Sequence, residues 1–122
     1  MFYAEADKQR QLLTTTFRGH VTAEELNAGL ENVKRLINEE LQPGFRILGD
    51  LSGLETMELS CAPYIRQIMD AANERGVEEV VRVISNPRQD IGFNVMSRFH
   101  YDPKVRLATY ETLEEALQSL DT

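Results

Sequence analysis

The chain has 122 residues, of which 42% are apolar and 27% are charged, a composition that fits one globular core and excludes a disordered segment. Its formal net charge of -7 disfavours nucleic acid and anionic membranes as partners, because phosphate groups attract an excess of Lys and Arg. The lone cysteine, Cys61, excludes an internal disulfide, and no apolar run reaches the roughly 18 residues of a membrane span. We therefore expect a single cytoplasmic domain over residues 1–122.

The first third of the chain predicts two strands followed by a long helix. Apolar and β-branched residues indicate strands over Phe2–Glu5 and Gln11–Arg18, and Gly19-His20 is expected to break the second strand. Thr22 and Glu25 have the spacing of a capping box, in which each side chain bonds the backbone N–H of the other residue. Behind this box, apolar residues recur at helical spacing on one face: Leu26, Leu30, Val33, Ile37 and Leu41.

The rest of the chain alternates between predicted strands and predicted helices. Three further strands are expected, over Phe45–Leu51, Glu79–Ile84 and Val105–Tyr110. Helices are expected over Pro63–Arg75, over Gln89–Phe99 and after Thr112, whose side chain is expected to cap the last helix. Gly76 is expected to end its helix in the left-handed conformation. Four residues of the last helix are predicted to be buried: Leu113, Ala116, Leu117 and Leu120.

This order of elements, ββαβαβαβα, predicts an α/β fold. We expect a mixed, mostly parallel sheet of five strands with four helices packed against it, opened by an antiparallel hairpin. Ligands of such sheets bind at the carboxyl ends of the strands. The candidate site is therefore expected near Asp50, Ser52 and the polar loop over Leu51–Ala62.

Few residues have the spacing of a catalytic, metal or cofactor site. No phosphate-binding glycine pattern is present, and His20 and His100 lie eighty positions apart. Asp50 lies at the end of a predicted buried strand, as catalytic carboxylates often do, but a loop acid that accepts backbone hydrogen bonds fits the same pattern. A nucleophilic Cys61 requires a lowered thiol pKa, and the sequence places no base near it. We therefore expect neither an enzyme nor a bound metal or cofactor.

The segment from Asp50 to Cys61, DLSGLETMELSC, resembles the equivalent segment of the STAS domain family, which includes the bacterial anti-sigma-factor antagonists. In that family a strand ends in Asp-Leu, and an acid precedes a hydroxyl pair and a glycine that open a helix. The order of elements and the ending Glu114-Glu115-Ala116-Leu117 extend the resemblance over nearly the whole chain. The resemblance implies a STAS-like fold and a regulatory module that binds proteins, such as a kinase, without catalysing a reaction.

Carried over by residue, the resemblance places Glu58 at the family's aspartate and Ser60 at its phosphorylated serine, while Leu59 and Cys61 differ from the hydroxyl residue and the glycine. A phosphate at a helix start is tolerated and adds roughly two negative charges, which would repel a partner kinase. Without modification, Ser60 also fits a simple helix-capping role. The predicted partner-binding residues are Asp50, Ser52, Glu58, Ser60 and Cys61.

A second function remains open, namely a carrier of a lipid or another small apolar ligand. The resemblance extends to the lipid-binding module of Sec14-type proteins, which implies a pocket between helices and sheet. Adaptable or bulky apolar residues fit such a pocket, although they fill an ordinary core equally well: Met57, Met69, Phe93, Met96 and Phe99. A homodimer is also compatible with the resemblance, because exposed helix faces of small STAS-like domains can pair.

Overall fold

Five strands form one sheet, and helices pack against both of its faces. The computed structural model describes residues 1–84 and 101–121. The strands are β1 (Phe2–Asp7), β2 (Leu12–Val21), β3 (Arg46–Met57), β4 (Glu79–Val83) and β5 (Arg106–Tyr110). The α-helices of the described residues are α1 (Ala23–Arg35), α2 (Ala62–Arg75) and α3 (Leu113–Leu120). The predicted helix over Gln89–Phe99 lies outside the described residues.

The strands lie side by side in chain order. β1 pairs with β2 in the antiparallel sense, and the pairs β2–β3, β3–β4 and β4–β5 are all parallel. Parallel neighbours need a crossover between them, and α1 and α2 supply the first two crossovers. The arrangement confirms the predicted fold class, a mixed and mostly parallel sheet opened by a hairpin.

The core has two parts, one on each face of the sheet. The larger part joins α1 and α2 to the sheet and contains Leu13, Phe17, Leu26, Ile37 and Phe45, among other buried residues. The smaller part joins α3 to the opposite face and consists of Leu12, Leu48, Val81, Val83, Ala116 and Leu120. The central strands are therefore buried on both faces, as their aliphatic sequence predicts.

The predicted helix ends are confirmed where local chemistry determines them. The Glu25 backbone N–H donates to Thr22 Oγ1 and the Thr22 backbone N–H donates to Glu25 Oε1, both at 3.2 Å, which completes the capping box. Gly76 ends α2 with a φ of 87°, in the left-handed region. Leu113 was predicted to be buried and is 38% exposed, because α3 reaches the sheet only one turn later, at Ala116.

The predicted loop over Leu51–Ala62 is wrong, because most of it belongs to β3. Gly19-His20 likewise does not break β2, which continues to Val21. The two strands stay paired because β3 accommodates one extra residue at each of two register shifts. These shifts are seen in successive pairs: Thr16 with Asp50, Arg18 with Gly53, Gly19 with Leu54, and His20 with Thr56.

Candidate functional site

A tight turn over Glu58–Cys61, here called the β3–α2 turn, connects the end of β3 to the start of α2. The Glu58 backbone N–H donates to the Val21 carbonyl oxygen at 3.1 Å, and the Cys61 N–H donates to the Glu58 carbonyl oxygen at 3.0 Å. Leu59–Cys61 form a single 3-10 turn, and α2 follows directly at Ala62. The β3–α2 turn is therefore fixed both within itself and to the end of the neighbouring strand.

The side chain of Glu58 ties this turn to the start of α1. Its Oε1 accepts a hydrogen bond from the backbone N–H of Ala23, the first residue of α1, at 2.8 Å. The first N–H groups of a helix have no partner within the helix, and a carboxylate also complements their positive dipole. One acid thus joins the starts of the two helices that cover this face of the sheet.

Cys61 is buried beneath the β3–α2 turn, so its side chain is not accessible to a partner. Its side chain is 1% exposed, and its thiol donates to the Val21 carbonyl oxygen over 3.7 Å. Burial raises the pKa of the Cys61 thiol, and the nearby negative charges of Glu58 and Glu25 raise it further. A nucleophilic cysteine requires the opposite shift, so the geometry does not support a catalytic role for Cys61.

We expect Cys61 of the folded protein to be alkylated by iodoacetamide at least about tenfold more slowly than in urea, because the reactive thiolate is both buried and disfavoured. Below the ordinary thiol pKa of about 8.5, folded and unfolded chains both carry the neutral thiol. The contribution of this thiol to the free energy of unfolding is then fully present. Above it the unfolded chain ionises first, so this stability is lost as pH rises. Mass spectrometry measures the alkylation rate of Cys61 between pH 7 and 10. Equal rates with and without urea would contradict the expected protection of the thiol.

Leu59 and Ser60 form the exposed tip of the β3–α2 turn. The Leu59 side chain is 95% exposed, and Ser60 is also exposed, with no side-chain hydrogen bond to any described residue. The capping interpretation of Ser60 is wrong, because Cys61 takes the cap position of α2 and no side chain caps that helix. Pro63 lies in the first turn of α2, where its missing N–H removes one group that would otherwise need a partner.

Asp50 and Ser52 lie away from the β3–α2 turn, further back along β3. Asp50 is 7% exposed, and its Oδ1 accepts from the Ser52 backbone N–H at 3.0 Å and from Ser52 Oγ at 2.6 Å. At about 3.3 Å per strand residue, the turn begins roughly 20–25 Å further along the chain. The structure therefore brings together Glu58, Ser60 and Cys61 and leaves Asp50 and Ser52 at a separate position.

The described residues do not support the carrier function. A cavity of about 60 Å³ lies between the sheet and α2 and has Met69 in its wall, whereas ligand pockets usually measure about 300–1,000 Å³. Met57 is only half-buried at the end of β3, and Phe93, Met96 and Phe99 lie outside the described residues. Within residues 1–84 and 101–121, no group of three His, Cys, Asp or Glu side chains is arranged to hold a metal ion. No helix of these residues has the length and apolar character to cross a bilayer.

The sequence matches no family model and no curated protein sequence, but several solved structures match nearly the whole chain, among them the following three. The unphosphorylated anti-sigma factor antagonist SpoIIAA has a TM-score of 0.72 and 13% identity over 99% of this chain and 98% of that one. An uncharacterised Shewanella loihica protein with a SpoIIAA-like fold has a TM-score of 0.73 and 17% identity, with coverage of 98% and 92%. An anti-sigma factor antagonist from Mycobacterium paratuberculosis has a TM-score of 0.62 and 14% identity, with coverage of 100% and 94%. The chain therefore has the SpoIIAA-like fold of STAS domains, as the resemblance implies.

Proposed function

We propose that the chain is a non-catalytic regulatory module of the cytoplasm that binds another protein through the β3–α2 turn and is switched by phosphorylation of Ser60. Leu59 carries the proposal, because its side chain is 95% exposed at the tip of a turn whose backbone is fixed. Burying a leucine against a partner contributes about 1.5–3 kcal/mol. A rigidly presented apolar side chain is therefore well suited to anchor a protein contact.

The structural relatives support the same reading of this turn. Two of them are anti-sigma factor antagonists by name, and SpoIIAA of Bacillus has also been solved in a phosphorylated form. The resemblance places Ser60 at the family's modified serine, and the Ser60 hydroxyl is exposed beside Leu59. A phosphate on Ser60 would thus change the charge of the proposed contact surface directly.

The position of Ser60 also lets the fold accept a phosphate. Ser60 precedes α2 by two residues, where backbone N–H groups and the helix dipole favour negative charge. Its side chain gives up no hydrogen bond to a described residue when it is modified. We therefore expect phosphorylation to leave the free energy of unfolding nearly unchanged and to act through the partner.

The binding proposal is tested by photo-crosslinking in extracts of the cells that make the protein. With p-benzoylphenylalanine at position 59, we expect one protein to be captured, and excess unlabelled wild-type chain is expected to prevent the capture. The matched control carries the same group at position 39, an exposed residue beyond the other end of α1. Capture of the same proteins at both positions, or no capture at position 59, would refute the proposed surface.

The switch is tested by phosphate incorporation in the same extracts. We expect the wild-type chain and Ser52→Ala to incorporate close to one phosphate per chain, and Ser60→Ala to incorporate none. Ser52 is the matched control because it is also an exposed serine, although its hydroxyl is bonded to Asp50. Undiminished incorporation in Ser60→Ala would exclude Ser60 as the switch.

A further inference from the structure

We draw no further inference here: the strongest candidate, the cavity of about 60 Å³ between the sheet and α2 that Thr15, Arg82 and Tyr101 line, is the one that already counts against a carrier function, and since residues 85–100 between Arg82 and Tyr101 lie outside the described part of the chain, neither its charge nor its opening identifies a ligand.

Discussion

Replacing Leu59 with serine is expected to weaken binding of the crosslinked partner about 30-fold or more, which corresponds to about 2 kcal/mol for loss of a central anchor. The free energy of unfolding is expected to change by less than about 0.5 kcal/mol, because a side chain that is 95% exposed makes few contacts to lose. Titration calorimetry with the purified partner measures the first effect, and urea unfolding measures the second.

Leu113→Ser is the matched control for this experiment. Leu113 is the other leucine among the exposed large apolar residues, with 38% of its surface accessible, and it lies at the start of α3 in the opposite half of the chain. We expect this variant to bind the partner with wild-type affinity. Equal losses of affinity for the two variants would show that general surface hydrophobicity, and not the β3–α2 turn, is what the partner recognises.

The largest expected effect on stability is that of Phe45→Ala, which is expected to lower the free energy of unfolding by about 3–5 kcal/mol. Phe45 is fully buried directly before β3, and among the described residues it is the largest of the completely buried side chains. Its backbone bonds, from its N–H to the Gln42 carbonyl and from the Glu78 N–H to its own carbonyl, survive the substitution. The loss therefore reports the empty volume that remains in the core.

Urea unfolding of the variant measures this loss, with Phe45→Leu as the control. Leucine keeps most of the apolar volume, so the control is expected to cost markedly less than the alanine variant. Since small domains are stable by about 5–15 kcal/mol, the alanine variant removes a large share of the total. A loss below about 1 kcal/mol would mean that the surrounding residues collapse into the vacated space.

The features that could be predicted are those that depend only on residues close to one another in sequence. Thr22 and Glu25 are three positions apart and need only each other to form the capping box. Gly76 ends α2 because glycine adopts a positive φ without the clash of a Cβ atom. The helical spacing of Leu26, Leu30 and Val33 likewise determines which face of α1 is buried. Local chemistry of this kind is visible in a sequence without knowledge of the fold.

The extension of β3 could not be predicted because it depends on pairing with a distant strand. Each register shift adds one residue to β3, which breaks the alternation of buried and exposed positions that identifies a strand. Leu51 and Leu54 are both buried although they lie three positions apart, so the polar residues between them resemble a loop. Only the partner strand β2 shows that the segment is extended.

The sequence could indicate only some of the residues that form the β3–α2 turn. The resemblance pointed to Glu58 and Ser60 as candidates, and both lie in the β3–α2 turn. The resemblance gave no indication that Leu59 is exposed. Exposure is a property of the folded surface, and an isolated leucine in sequence normally indicates a core position. The bond from Ala23 to Glu58 was equally hidden, since it joins residues 35 positions apart.

In the proposed function, the bonds that hold Glu58 to Val21 and Ala23 would also determine how a partner meets the turn. Ordering a flexible residue costs about 1–2 kcal/mol of backbone entropy, and here that cost falls on folding and not on association. Leu59 would consequently be preorganised for the proposed contact, so a modest contact area would suffice for useful affinity. No loop would then have to become ordered after the first encounter of the two proteins.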